Sequence, residues 1–201
     1  MLKRTFDLLA SGAGLLFLSP LLVLIAVLIK ADSRGPVFFR QERVGRHGVS
    51  FRIHKFRTMT VDAEARGLQL TTGNDTRITR VGAFLRRWKI DELPQLIDVF
   101  FGQMSLVGPR PEVPRYVEHY PVKVKDIVLS VRPGLTDWAS IQYKDENNFL
   151  SSFSNPERTY VEKILPAKLN FYIKYVQERS FLGDLKIIIY TLKELAKTRG
   201  C

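Results

Sequence analysis

Residues 8–29 form an unbroken run without a charged side chain, built mainly from leucine, valine, isoleucine and alanine. As a straight helix the run is long enough for a bilayer core of ~30 Å. A secretory signal fits poorly. The run is long for such an apolar region, and its end, Leu28-Ile29-Lys30-Ala31-Asp32, lacks the small residues of a cleavage site. Ser19-Pro20 lies in the middle, where proline removes a helix hydrogen bond and crowds the turn before it. The helix is therefore expected to break there, with the Ser19 hydroxyl taking over a freed backbone group. Basic residues flank both ends: Lys3 and Arg4 before the run, then Lys30, Arg34, Arg40 and Arg43 after it. A spanning helix concentrates its basic residues on one side. Two arrangements remain open, a proline-kinked spanning helix and a re-entrant helix that enters and leaves by one face. Both embed the segment in a membrane.

The pattern then shortens. Residues 37–44 read as a strand, Gly45-Arg46-His47-Gly48 as a turn, and residues 49–56 return with Phe51, Ile53 and Phe56 apolar. This β-hairpin, near residues 37–56, has a cationic face. Such a face can be a basic edge that discourages aggregation, or a contact for phosphate or lipid headgroups. Residues 61–70 are polar and read as a short helix and loop, and Asn74-Asp75-Thr76 begins a turn. Thr79 is placed to cap a helix over 81–90, with Phe84, Leu85 and Trp88 on one side and Arg86, Arg87 and Lys89 elsewhere. Such a helix can pack on the core or lie on a membrane surface. Residues 137–155 are polar with scattered aromatics and read as loop or short strand. Helical periodicity returns over 156–178, and a last helix is expected over 182–197. The fold class is α+β and mostly helical. Its expected division is a membrane segment over 1–30 and a single catalytic unit over 31–201.

Charge narrows the partners. The 201 residues carry a formal net charge of +11, and the only cysteine is Cys201. The sequence pI is about 9.9. A balance this basic suits an anionic membrane, a phosphorylated substrate or nucleic acid. A lone cysteine allows no disulfide within the chain, which points to a reducing compartment for the soluble part.

The candidate chemistry centres on Ile90-Asp91-Glu92-Leu93-Pro94-Gln95-Leu96. Proline is tolerated in the first turn of a helix, so Asp91 reads as an N-cap and Glu92, Leu93 and Pro94 as the first turn. Free N–H groups and the helix dipole would favour ionised carboxylates there and attract phosphate. Many Asp-Glu pairs at helix starts do no more than cap. Here, however, Arg80, Arg86, Arg87 and Lys89 precede the pair and Gly108-Pro109-Arg110-Pro111 follows it. Two prolines pin the backbone around Arg110, which suits bidentate binding of phosphate. Arg132-Pro133-Gly134 repeats the device. His47, His54 and His119 lack metal-ligand spacing, and no glycine-rich phosphate loop, zinc motif or serine triad pattern occurs. A metal here would be a hard, oxygen-ligated ion held by Asp91 and Glu92 with substrate phosphates, as magnesium is.

Taken in order, these pieces resemble the bacterial sugar transferases, the small monotopic polyprenyl-phosphate phosphoglycosyl transferases that consist of the catalytic domain alone. The resemblance runs from Lys3-Arg4-Thr5-Phe6-Asp7 to Ser180-Phe181-Leu182-Gly183-Asp184-Leu185-Lys186-Ile187. It includes Ser19-Pro20, Lys55-Phe56-Arg57-Thr58-Met59, Asp91-Glu92-Leu93-Pro94-Gln95, Met104-Ser105-Leu106-Val107-Gly108-Pro109-Arg110-Pro111 and Arg132-Pro133-Gly134-Leu135-Thr136. It implies a re-entrant helix broken at Ser19-Pro20, amphipathic interfacial helices around the active site, and soluble parts on the cytoplasmic face of the bacterial inner membrane. It also implies transfer of a sugar phosphate from a UDP-sugar to polyprenyl phosphate with Mg2+, giving UMP, ahead of downstream glycosyltransferases. Asp91 would be the nucleophile, Glu92 the main metal ligand with the role possible for both, and Lys55, Arg86, Arg110 and Arg132 the phosphate-binding residues. No nucleic acid partner is implied. Many relatives continue Gly-Trp-Ala-Gln-Val-Asn-Gly-Arg after the Arg-Pro-Gly turn, where this chain has Asp137-Trp138-Ala139-Ser140-Ile141-Gln142-Tyr143-Lys144. The sugar is therefore not named. The competing class is a membrane-tethered basic module that binds anionic lipid or nucleic acid without chemistry.

Overall fold

The computed structural model describes residues 2–63 and 75–197, except the side chains of Asn147 and Asn148. The helix and loop expected over 61–70, the turn from Asn74 and the terminal Cys201 lie partly or wholly outside these residues. Helix α1 runs Leu2–Asp32 with Pro20 inside it. The expected break at Ser19-Pro20 is thus not an interruption of the helix. Proline takes away the N–H that would bond the Leu16 carbonyl, and the Ser19 hydroxyl donates to that same carbonyl at 2.8 Å.

Both ends of α1 are tied to one body. At the start, Lys3 Nζ meets Asp184 Oδ2 at 2.6 Å and the Val107 carbonyl at 2.9 Å. Asp7 accepts from the Ser105 hydroxyl at 2.8 Å and the Leu106 N–H at 3.1 Å. At the other end, Asp32 accepts from the Val81 N–H and the Ser33 carbonyl accepts from Arg57. Ile25 and Ile29 pack against Phe56 and Leu85. Between these ends Leu16 and Phe17 are 71% and 79% exposed. The helix is long and apolar enough to cross a membrane.

The hairpin is one ladder in a single register, interrupted in its middle. Strands β1 (Phe38–Phe39), β2 (Glu42–Val44), β3 (Ser50–Arg52) and β4 (Lys55–Phe56) pair as β1 with β4 and β2 with β3. Phe38 faces Phe56, and Val44 faces Ser50. The turn falls at residues 45–49, where His47 takes a positive φ of 59° and Gly45 bonds Val49. Helix α2 (Arg80–Arg87) begins at Thr79, whose side chain accepts from the Gly82 N–H at 3.0 Å, as a cap should. A Cβ on Gly82 would sit 2.1 Å from the Thr58 carbonyl oxygen, so glycine lets α2 approach the end of β4.

Lys89 then turns the chain at φ 56°, and a one-turn 3₁₀ helix, Ile90–Glu92, leads into α3 (Gln95–Phe101). Strand β5 (Ser105–Val107) pairs in parallel with β6 (Gly134–Thr136). Between them lie α4 (Pro114–Val117) and α5 (Val122–Leu129). The two proline-glycine turns are one structure. The Gly134 N–H bonds the Pro109 carbonyl, and a Cβ on Gly134 would lie 2.1 Å from the Gly108 nitrogen. Glycine therefore permits the crossing that fixes Arg110.

The polar segment after β6 is helical rather than loop or strand: α6 (Trp138–Gln142) and α7 (Glu146–Ser151). Asp137 starts it as an N-cap, accepting from the Ser140 N–H at 3.0 Å. Helix α8 (Pro156–Thr159) continues through a wide π turn, Tyr160–Ile164, into α9 (Leu165–Glu178). Pro166 accounts for the widening, because it cannot supply the next helix bond. Helix α10 (Phe181–Lys197) closes the chain. The largest apolar cluster joins Tyr116, Tyr120, Tyr160, Leu165, Leu169 and Tyr172 beneath α4 and α5. The molecule is mostly helical α+β, as the sequence pattern predicts.

Candidate active site

Strand β4 and the 3₁₀ turn bring Lys55 to both acids. Lys55 Nζ lies 2.9 Å from Asp91 Oδ2 and 3.3 Å from Glu92 Oε1. The crossed turn brings Arg110, which donates Nη1 to Glu92 Oε2 at 3.2 Å and Nη2 to Glu92 Oε1. This is the bidentate geometry expected of a pinned guanidinium. Burial alone would raise the Glu92 carboxyl, but Arg110 and Lys55 outweigh it and hold the group well below the usual carboxylate range. Glu92 in turn raises Arg110, so its guanidinium stays charged.

Asp91 differs from its neighbour. It is 2% exposed, and among the described residues its Oδ1 has no hydrogen-bond partner. It does not cap α3, because Lys89 precedes the first turn and no side-chain cap forms there. A buried carboxylate oxygen without a donor is costly.

One clasp supporting Lys55 was not legible in the sequence. Asp98 on α3 is fully buried and accepts from His54 twice, from the backbone N–H at 2.8 Å and from the ring Nδ1 at 2.6 Å. Arg40 Nη1 lies 2.6 Å from the ring Nε2. Because guanidinium only donates, Nε2 accepts and Nδ1 carries the proton. His54 precedes Lys55, so the clasp sets β4 against the helix that follows Asp91. Nothing in a single sequence connects residues so far apart.

Two candidate phosphate-binding residues lie elsewhere. Arg86 Nη1 lies 3.4 Å from the Thr58 hydroxyl, and among the described residues it pairs with neither acid. Arg132 Nε donates to the Gly102 carbonyl at 2.7 Å, and the side chain lines a different cleft, with Lys3 and Arg4. The turn that holds it belongs to the β5–β6 crossing. Among the described residues no group of three or more His, Cys, Asp or Glu side chains could hold a metal. Asp91 and Glu92 alone suit an ion that takes most of its ligands from phosphate and water.

A family model described as bacterial sugar transferase matches residues 1–198. The chain belongs to the bacterial sugar transferase family. It is 44% identical over 196 residues to a UDP-N-acetylgalactosamine-undecaprenyl-phosphate N-acetylgalactosaminephosphotransferase of Aeromonas hydrophila, across 96% of this chain and 43% of that protein. To a UDP-glucose:undecaprenyl-phosphate glucose-1-phosphate transferase of Escherichia coli K12 it is 38% identical, across 96% of this chain and 39% of that one. The chain thus spans about two-fifths of the length of these two relatives. Exopolysaccharide production protein PSS of Rhizobium leguminosarum is matched nearly end to end, at 35% identity over all of this chain and 98% of that protein.

Proposed function

We propose that this chain transfers a sugar 1-phosphate from a UDP-sugar to undecaprenyl phosphate, yielding UMP and undecaprenyl-diphosphate-sugar. The observation that carries this is the buried Asp91 Oδ1, without a hydrogen-bond partner among the described residues, beside a cation-held Glu92. The relatives supply the substrate class by their names, and they differ in the sugar, glucose in one and N-acetylgalactosamine in the other.

In this reading Asp91 attacks the phosphorus that carries the sugar. The bond to the bridging oxygen breaks, UMP leaves with that oxygen, and an aspartyl phosphosugar remains. An oxygen of undecaprenyl phosphate then attacks the same phosphorus and expels the Asp91 carboxylate. Lys55 and Arg110 exchange part of their hold on Glu92 for phosphate oxygens and stabilise the charge spread over them. A magnesium ion held by Asp91 and Glu92 would neutralise the diphosphate and relieve the repulsion between the two acids.

The anchor reading is re-entrant. Lys3 and Asp7 at one end of α1 and Asp32 at the other bind the same body, which supports placing both ends on the cytoplasmic face of the inner membrane. Exposed Phe84, Phe101 and Leu192 on α2, α3 and α10 support interfacial helices beside the site. Residues 1–30 and the rest then form one unit rather than separable domains. The test is UMP release from a panel of UDP-sugars with Mg2+, with and without undecaprenyl phosphate. Lipid-dependent release from one donor supports the reading. Release from none contradicts it and favours a basic module without chemistry.

A further inference from the structure

A second cationic cleft lies apart from the two acids. Its volume is about 230 Å³, and Lys3, Arg4, Arg46, Arg132 and Arg179 line it together with Asp7 and Tyr175. Its acids are already engaged. Asp7 accepts from Ser105 and Leu106, and Asp184, which pairs with Lys3, also meets the Tyr175 hydroxyl at 2.9 Å. Most of the arginines are held by neutral carbonyls. Arg4 donates to Val99 and Phe100 at 2.6 and 2.8 Å, Arg46 to Ser130 at 2.9 Å and Arg132 to Gly102 at 2.7 Å. Among the described residues none of the four arginines pairs with a carboxylate at salt-bridge distance. The carbonyls orient the guanidinium groups of Arg4, Arg46 and Arg132 without neutralising them.

Exposed apolar side chains adjoin several of these residues along the chain. Leu2, next to Lys3, is 64% exposed; Phe101, next to the Gly102 that Arg132 holds, is 74% exposed; and Leu182, near Asp184, is 77% exposed. Fixed guanidinium groups recognise phosphate oxygens bidentately. Basic pockets beside membrane helices suit anionic headgroups. We propose that this cleft is a phosphate site for the headgroup of an anionic phospholipid, with the acyl chains lying along the exposed apolar face of α1. The inference needs α1 to be membrane-embedded but does not need the transfer reaction.

The test uses the full chain in detergent, with lipid adducts counted by native mass spectrometry as phosphatidylglycerol or phosphatidylcholine is titrated in. Glycerol 1-phosphate serves as the soluble source of the same phosphate chemistry. Arg46→Gln/Arg179→Gln removes two cations from the cleft. Lys123→Gln/Lys174→Gln removes the same charge from exposed positions on α5 and α9. The expected result is preferential binding of phosphatidylglycerol, weakened at least about tenfold more by the cleft pair than by the control pair. Equal losses in the two variants would mean diffuse attraction to a protein of charge +11 and would overturn the site. Glycerol 1-phosphate binding as tightly as the lipid would overturn the lipid assignment. A wild-type chain that fails to associate with nanodiscs of either lipid would overturn the membrane reading beneath it.

Discussion

Asp98 grips His54 by both its backbone N–H and its ring, at 2.8 and 2.6 Å, and so fixes the residue that precedes Lys55. The position of Lys55 against Asp91 and Glu92 is thereby set from α3, the helix that follows the two acids. Asp98→Asn keeps one acceptor but turns an amide N–H₂ toward the ring, which forces the other tautomer or breaks the contact. The expected outcome is a fall in kcat of about tenfold with donor KM little changed, the pattern of lost transition-state stabilisation. Folded yield and far-UV circular dichroism should be retained. An unchanged kcat in a folded variant would remove the clasp from the account.

Arg110 is predicted to depend on its fork as well as its charge. Arg110→Lys keeps a cation beside Glu92 but cannot bond both carboxylate oxygens side by side. Loss of one hydrogen bond to a charged group corresponds to about tenfold in kcat/KM. Steady-state kinetics with the preferred UDP-sugar checks this, and a fully active lysine variant would reduce Arg110 to a point charge.

The pH dependence of stability follows from Glu92. Its carboxyl is depressed in the folded protein relative to the usual 4.5. The stabilisation it contributes is therefore complete above about that value and falls away as acid drives the pH down toward the folded pKa. Melting temperatures of the wild type and Glu92→Gln, measured from neutral pH downward, should differ most near neutrality and converge below pH 4.5. A difference that grows in acid would contradict the sign.

Topology gives a separate check. With Cys201 replaced by serine, single cysteines at Leu2 and Arg34 should react with an impermeant thiol reagent from the same side of a sealed vesicle. Labelling from opposite sides would show that α1 spans, and would require the contacts of Lys3 and Asp32 with one body to be rearranged.

The elements written in local chemistry were legible in the sequence. Thr79 caps α2, the hairpin turns at residues 45–49, and Ser19 serves the carbonyl that Pro20 leaves free. Proline punctuation marks Arg110, whereas Lys55 is placed with the acids only through the family resemblance. Asp91 was misread as a cap, since the pattern of acids before a proline does not reveal that Lys89 adopts a positive φ and ends α2. The segment after β6 looked like loop because its helices are only a turn or so long, although Asp137 carried a capping signal. The distance of Arg132 from the two acids and the His54 clasp are illegible for one reason. Both depend on pairings between distant residues, Gly108 with Gly134 and His54 with Asp98, which local pattern does not encode.

The central claim is that Asp91 becomes covalently bonded to the phosphosugar. The measurement that tests it most directly is the intact mass of the purified full chain, incubated with its UDP-sugar and Mg2+ but without undecaprenyl phosphate. The account predicts an added mass of one sugar phosphate, with UMP released in equal amount. The adduct should disappear when undecaprenyl phosphate is added and be absent from Asp91→Asn, whose turnover should fall by about 10³-fold or more. Wild-type turnover retained by Asp91→Asn, or an adduct that persists in it, would contradict the account.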